Sequence, residues 1–93
     1  MPKYVTLFRY TGAIEGGGPQ RFAKAQQIVA GEGGEILAVY GLLGPYDIAS
    51  VFECPDNRAA MKVAAAIGNL IGAKTVTMPA VERDDFLQLL TEL

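Results

Sequence analysis

The sequence has no histidine, no tryptophan and a single cysteine among its 93 residues. Histidine is the commonest general base near neutral pH and the commonest metal ligand, so its absence counts against imidazole catalysis and against a zinc site. The one cysteine, Cys54, cannot form an internal disulfide, which fits a reducing compartment. We therefore expect a cytoplasmic protein without a metal or an organic cofactor.

Positive charge is also scarce, since eight Lys and Arg against ten Asp and Glu give a net charge of −2. Without a basic stripe, no nucleic-acid partner is expected. The longest apolar stretch, residues 63–73, is too short to cross a membrane and contains Gly68, Asn69 and Gly72. The first residues lack the apolar segment that a signal peptide needs. We therefore expect no membrane partner and no signal peptide.

Apolar residues are abundant for so short a chain. They make up 51% of the sequence, and a domain of this size has little interior in which to hide them. An excess of this kind suggests that apolar surface is buried against another subunit. We predict a single domain over residues 1–93 that forms a homodimer or a larger homo-oligomer.

The order of hydrophobic patterns predicts four strands and three helices. Asp56 is a suitable N-cap for the second helix, whose inner face is expected to carry Ala60, Val63, Ala64 and Ile67 against a sheet. The predicted strands cover residues 3–10, 35–40, 46–53 and 73–80, and the predicted helices cover 19–30, 57–67 and 84–93. This βαββαβ order with a C-terminal helix indicates a ferredoxin-like α+β fold with a four-stranded antiparallel sheet.

Both faces of the predicted sheet are apolar. In the first strand, Val5 and Leu7 lie on one face, whereas Tyr4 and Phe8 lie on the other. The second strand is predicted to alternate strictly, with Leu37 and Val39 on one face and Ile36, Ala38 and Tyr40 on the other. A sheet with one face in water alternates apolar with polar residues, so both faces need a cover. Two helices can cover one face, and a second copy of the chain is the simplest cover for the other.

The segment Gly44-Pro45-Tyr46-Asp47 resembles the GYD domain family, which is named for its Gly, Tyr and Asp. The likeness extends over nearly the whole chain, through Met1-Pro2-Lys3-Tyr4-Val5, Glu53-Cys54-Pro55-Asp56 and Thr75-Val76-Thr77-Met78. It implies a dimeric α+β barrel, an architecture shared with cofactor-independent monooxygenases, small-molecule-sensing regulator domains and stress-responsive proteins. The Gly16-Gly17-Gly18 cluster departs from the family pattern, because it is a weaker helix start than an acidic N-cap.

The candidate ligand-binding residues are Tyr4, Tyr40, Tyr46 and Asp47. Two interpretations of the Gly-Tyr-Asp segment are open. In one, Gly44 takes a positive φ in a turn, Tyr46 packs, and Asp47 accepts hydrogen bonds from backbone N–H groups. In the other, Tyr46 and Asp47 stand at the mouth of a cleft as ligand donor and proton acceptor.

Further aromatic and reactive side chains also have two interpretations. The aromatic residues of the first two strands either line a pocket for an aromatic ligand or belong to the core or the dimer interface: Tyr4, Phe8, Tyr10 and Tyr40. Arg9 is expected to pair with a carboxylate such as Asp47 or Glu53, or to emerge at the sheet edge. Cys54 has no basic neighbour in sequence to stabilise a thiolate, so we do not expect a nucleophile there.

Three functions from different classes agree with these features. The preferred one is a non-catalytic dimeric module that binds a small apolar or aromatic molecule between the sheet and the helices. The second, implied by the resemblance alone, is a cofactor-independent enzyme of the monooxygenase or isomerase kind, and no catalytic residue is assigned to it. The third is a purely structural or assembly protein. A tyrosine-lined cavity of about 300 Å³ or more would favour the first over the third.

Overall fold

The chain folds into seven elements that follow one another in the order βαββαβα. The structure is a computed structural model and describes residues 1–12 and 18–93. Gly16 and Gly17 belong to the glycine cluster that departs from the family pattern, and they lie outside the described residues. The elements are β1 (Lys3–Tyr10), α1 (Gly18–Gly31), β2 (Glu35–Gly41), β3 (Ile48–Glu53), α2 (Asn57–Ile71), β4 (Ala73–Ala80) and α3 (Arg83–Leu90). The four strands form one antiparallel sheet in the order β2-β3-β1-β4. The predicted ferredoxin-like α+β fold is confirmed.

β1 is a central strand that pairs with β3 on one side and with β4 on the other. Thr6 lies opposite both Ser50 and Thr77, and Leu7 lies opposite both Ala49 and Val76. Directly paired residues share a face of the sheet. The even-numbered residues of β1 therefore face α1 and α2, and the odd-numbered residues lie on what we call the outer face.

The strict alternation predicted for β2 is wrong because the strand contains a β-bulge. Ile36 pairs with Phe52 and Ala38 pairs with Val51, so Leu37 is an extra residue without a partner of its own. After the bulge the alternation is reversed. Val39 joins Ile36 on the helix-facing side, and Tyr40 lies on the outer face opposite Ala49.

α2 begins and packs as its sequence predicts. The Asp56 carboxylate accepts a hydrogen bond of 2.9 Å from the Ala59 N–H, which satisfies one of the free donors at the helix start. The predicted inner face is buried: Ala60, Val63, Ala64 and Ile67.

The end of α2 lies four residues beyond the predicted one. Gly68 does not end the helix but is buried inside it, where a Cβ would stand 3.0 Å from the Ala73 carbonyl oxygen. This glycine therefore lets α2 approach β4 closely. The helix stops at Gly72, which has a φ of +68° and donates its N–H to the Gly68 carbonyl.

The core lies between the helix-facing side of the sheet and the two long helices. Tyr4 and Phe52 stack with their ring centroids 5.6 Å apart, and Phe8, Val29 and Val63 belong to the same buried cluster. Burying each of these side chains contributes about 1.5–3 kcal/mol. Among the aromatic residues of β1, Tyr4 and Phe8 therefore belong to the protomer core.

α3 differs from the other helices because none of its residues is buried. It exposes about half of each of its large apolar side chains: Phe86, Leu87, Leu89 and Leu90. The ammonium group of Lys3 donates to the carboxylate of Glu82, just before the helix. In the described part of the chain, no helix is both long and apolar enough to span a bilayer.

Gly34 generates the first prediction, because its backbone lies against the end of β3. A Cβ at this position would stand 2.2 Å from the Glu53 carbonyl oxygen and 2.8 Å from the Cys54 sulfur. Gly34→Ala therefore forces β2 and β3 apart, and we expect a loss of at least about 2 kcal/mol in the free energy of unfolding. Urea denaturation followed by far-UV circular dichroism, at fixed protein concentration, measures the loss.

Gly31→Ala is the matched control. Gly31 ends α1 and has no atom within 4 Å of the position that a Cβ would take. The control is expected to be as stable as the wild type or up to about 1 kcal/mol more stable. Equal stability of the two variants would contradict the close approach at Gly34.

Candidate functional site

The Gly-Tyr-Asp segment forms the connection between β2 and β3. Gly44 has a φ of +122°, which confirms the predicted positive value, and the Gly44–Pro45 peptide bond is cis. Asp47 binds β1 twice: its N–H donates to the Phe8 carbonyl at 2.8 Å, and its Oδ2 accepts from the Tyr10 N–H at 2.8 Å. The geometry is that of the turn interpretation, in which Asp47 fixes the connection to the end of β1.

Tyr4 is a core residue rather than an open ligand donor. Only 2% of it is exposed, and its hydroxyl donates to Oδ1 of Asn57 at 2.7 Å. Burial raises the pKa of the Tyr4 hydroxyl above its usual value, and the negative charge of Asp56 adds to this effect. The hydroxyl therefore stays protonated and bonded to the start of α2.

The structure does not bring the four candidate residues together. Tyr4 pairs with Phe52 at one end of β1, whereas Asp47 binds the backbone of Tyr10 six residues further on, about 20 Å along the strand. Tyr40 is 59% exposed on the outer face, and Tyr46 is half-buried in the connection. Of the four, only Tyr46 and Asp47 are close to each other.

Arg9 and Cys54 lie in contrasting surroundings. Arg9 is exposed on the outer face opposite Lys74 and has no ion pair with any residue in 1–12 or 18–93. Cys54 is fully buried, and burial raises the pKa of its thiol, an effect to which Glu32 and Asp56 add. A buried, protonated thiol is a poor nucleophile, in agreement with the sequence analysis.

A cavity of about 180 Å³ lies between the sheet and the two long helices. Phe22 and Ala25 of α1 form one wall, and Ile67 and Ile71 of α2 form another. The sheet contributes side chains from three strands: Phe8, Tyr10, Ile36, Val39, Ile48 and Ser50. The β-bulge matters here, because it turns Val39 towards the helices.

The tyrosine-lined cavity of about 300 Å³ that would favour a binding module over a structural role is not found, since this cavity is smaller and Tyr10 is its only tyrosine among the described residues. Drug-sized ligands occupy about 300–1,000 Å³, so a molecule of that size does not fit. A cavity of about 150 Å³ lined by Leu, Ile and Phe holds one benzene molecule. The space is therefore suited to a single ring with a small substituent.

Ser50 is the residue that the sequence analysis did not single out. The residue is only 8% exposed and lines the cavity, and its hydroxyl, which is not sealed from solvent, forms no hydrogen bond within the described residues. Its neighbour Thr6 is equally deep, but the Thr6 hydroxyl is bonded to that of Thr77 at 2.8 Å. The signal in the sequence that could have identified Ser50 is that it is the one polar residue on the inward side of β3.

The described residues of the site offer little for acid–base or metal chemistry. Arg21 is the one charged side chain among the described residues that line the cavity. In residues 1–12 and 18–93, no three His, Cys, Asp or Glu side chains lie close enough to hold a metal ion. The arrangement can hold a small apolar molecule and offer it the hydroxyl of Ser50.

Comparison with known proteins places this geometry in context. The profile of the GYD domain matches residues 4–90, and no curated protein matches the sequence. The leucine response regulatory protein LrpA of Mycobacterium tuberculosis is similar in structure, with a TM-score of 0.66 and 11% identity over 87% of this chain and 51% of that one. The protein TTHA0845 from Thermus thermophilus has a TM-score of 0.57 and 24% identity over 88% of this chain and 95% of that one. These two likenesses show the fold alone, and the chain spans about half the length of the regulatory protein.

The second prediction concerns Asp47 and separates a turn residue from an active-site carboxylate. Asp47→Ala leaves the Tyr10 N–H without its acceptor, so we expect a loss of about 1–3 kcal/mol in the free energy of unfolding. Asp47→Asn keeps an acceptor oxygen, and the expected loss is about 1 kcal/mol or less. Urea melts of both variants measure these losses.

Glu92→Ala, which removes an exposed carboxylate near the chain end, is the control and should lie within about 0.5 kcal/mol of the wild type. Catalytic carboxylates are often held where their charge is disfavoured, so replacing one with an amide tends to stabilise the fold. An Asp47→Asn variant more stable than the wild type would therefore overturn the turn interpretation.

Proposed function

This chain belongs to the GYD domain family, and we propose that it is a non-catalytic homodimer in which each protomer binds one small, single-ring apolar molecule. The observation that supports this proposal is the cavity of about 180 Å³ between the sheet and the two long helices. Protein interiors are close-packed and contain few voids larger than a water molecule. This cavity is far larger than that and is open at its rim, where Phe22 and Val39 are each 43% exposed, so a small molecule can enter it.

The composition of the cavity walls supports binding over catalysis. Phe8, Phe22, Val39 and Ile67 surround the space, and Ser50 supplies a hydroxyl. General acid–base catalysis needs a titratable side chain within hydrogen-bond reach of the reacting proton. The described lining residues contain no carboxylate that could serve, which is why we prefer a binding module to a cofactor-independent enzyme.

The third prediction is that the cavity binds toluene or phenol. Titration of ¹⁵N-labelled protein should shift the amide signals of Phe8, Val39 and Ser50 and saturate. We expect a dissociation constant of about 1 mM or tighter, which corresponds to about −4 kcal/mol or more favourable binding. If neither compound shifts these signals, the binding function is wrong and a purely structural role is the remaining candidate.

Ala25→Leu tests whether the ligand occupies this cavity rather than the protein surface. Ala25 lines the cavity, so the added methyl groups take up part of the space and should abolish binding while the fold is retained. Ala65→Leu introduces the same side chain at an exposed position of α2 and should leave binding unchanged. Equal binding by both variants would contradict the assignment.

The proposed dimer is supported by the surface area of the protomer. A folded monomer of 9.9 kDa exposes about 5,200 Å², whereas this chain exposes 6257 Å². The excess of about 1,000 Å² is comparable with the roughly 800 Å² that each partner buries in a standard interface. The radius of gyration agrees, at 14.0 Å against about 12 Å for a compact domain of this length.

The uncovered apolar surface lies on the outer face and on α3. The outer face carries Val5, Leu7 and Val51 in its centre and Val76 and Met78 on β4, and α3 adds its half-exposed leucines. We propose that a second copy of the chain covers this surface, because both partners of an isologous pair present the same apolar surface to each other.

Charge complementarity supports a second copy in one orientation. At one end of the outer face, Glu35 and Glu53 lie beside Lys3, and at the other end Arg9 lies opposite Lys74. A two-fold axis parallel to the sheets and perpendicular to the strands brings the acidic end of each protomer over the basic end of its partner. A two-fold axis along the strands would bring Arg9 and Lys74 over the same basic end of the partner, which is repulsive.

The fourth prediction tests the dimer by introducing a charge in the centre of the outer face. Wild-type protein should sediment at about twice 9.9 kDa at micromolar concentration. Val51→Asp should sediment as a folded monomer, because burying an unpaired carboxylate in an interface is strongly unfavourable. Sedimentation equilibrium with circular dichroism as the folding check measures both.

Met61→Asp is the matched control, since Met61 is 71% exposed on the far side of α2. It also replaces an apolar side chain with a charge, but it should leave the mass unchanged. A monomeric wild type, or a Val51→Asp variant that remains dimeric, would remove the face-to-face dimer.

The buried, unpaired Cys54 is compatible with the cytoplasmic location that we propose.

A further inference from the structure

Two polar side chains lie next to each other on the helix-facing side of the sheet, and they differ in one respect. Thr6 and Ser50 are direct partners across β1 and β3. The Thr6 hydroxyl is satisfied by that of Thr77 at 2.8 Å. Buried hydroxyls are bonded as a rule, because leaving one unpaired disfavours the folded state. Ser50 is nine-tenths buried as a residue, but its hydroxyl forms no hydrogen bond within residues 1–12 and 18–93 and its oxygen is not sealed from solvent.

The unpaired hydroxyl is reached from the cavity. No buried side-chain nitrogen or oxygen of the described residues is both sealed from solvent and unpartnered, so the Ser50 oxygen must be accessible. Ser50 lines the cavity. The other described side chains there are apolar apart from Tyr10, at the end of β1, and Arg21, in the first turn of α1.

We infer that Ser50 selects the ligand by binding its single polar group. The ligand class is a neutral single-ring molecule with one hydroxyl or carbonyl group, because a serine hydroxyl both donates and accepts. This inference rests on the proposed binding function. It adds to that function a chemical requirement that the apolar walls alone do not impose.

The charge of the ligand follows from the cavity walls. Moving a carboxylate into an apolar cavity is very unfavourable unless a cation pairs with it. Arg21 is the one cation among the described lining residues, and it already makes an interaction of its own. A neutral ligand avoids this cost.

Bound water is the main competitor for the Ser50 hydroxyl. Buried waters make about three hydrogen bonds, within a range of two to four. Phe8, Val39 and Ile67 line the cavity with Ser50 and supply no further side-chain donor or acceptor. A water beside these apolar side chains lacks most of the partners it needs, so a ligand that fills the space and carries one polar group is the better partner for the Ser50 hydroxyl.

The experiment compares the dissociation constants of phenol and toluene, which have nearly the same shape, for the wild type and for Ser50→Ala. Both are measured by titration of the full chain, followed through the amide signals of Phe8 and Val39. Ser50→Ala should weaken phenol binding by about 2- to 12-fold, the value of one hydrogen bond, and leave toluene binding unchanged. Ser50→Cys keeps a side chain of similar shape with a weaker donor, and it should also lower the preference for phenol over toluene.

The outcomes separate the two proposals. If neither compound binds to the wild type, the binding function fails and this inference with it. If toluene binds but Ser50→Ala weakens both ligands equally or neither, the binding function stands and the role of Ser50 is wrong. Benzoate serves as the third probe, and tighter binding of benzoate than of phenol would overturn the inference in favour of a charged ligand held by Arg21.

Discussion

The pairing of β1 on both of its edges is the constraint on which the rest of the structure depends. Because β3 and β4 occupy its two sides, every side chain of β1 lies on one of two broad faces. Tyr4 and Phe8 enter the core beneath the helices, while Val5 and Leu7 lie on the outer face. The strand is apolar in both directions, so the protomer has two surfaces that water does not favour and helices to cover only one.

The helices pack tightly on the helix-facing side of the sheet at one end of β1 and leave a space at the other end. Near the start of α2, Tyr4 stacks on Phe52 and bonds to Asn57, which leaves no space. Towards the far end of β1, Phe22 and Ala25 stand across from Val39 and Ser50 with a cavity between them. The proposed binding function and the proposed dimer thus have one physical origin, in a sheet whose two faces carry more apolar surface than this short chain covers.

The sequence predicts most of the fold because its local signals are strong. The limits of β1 and β4 and the Asp56 cap agree with the structure. The bulge at Leu37 could not be found, since an extra residue shows as a break in polar alternation only when one face is polar. The predicted end of α2 before Gly68 is wrong, because a glycine that permits close packing and a glycine that ends a helix look the same in sequence.

The candidate site was less predictable for the same kind of reason. Tyr4 and Tyr40 are alike in sequence, yet one is bonded in the core and the other is exposed beyond a bulge. Asp47 is recognisable as a turn residue because its neighbours Gly44 and Pro45 carry that information locally. Ser50 is not recognisable in this way, because only the three-dimensional pairing shows that Thr77 satisfies Thr6 and that nothing described satisfies its neighbour.

The proposed face-to-face dimer is tested most directly by locating the contacts between two copies of the chain. A mixed sample of isotope-labelled and unlabelled protomers, measured by isotope-filtered nuclear Overhauser spectroscopy, reports methyl contacts between subunits only. The face-to-face dimer predicts intermolecular contacts among Val5, Leu7, Val51 and Val76 of the outer face, and none to Met61 on α2. Intermolecular contacts confined to the helices, or none at all, would contradict it.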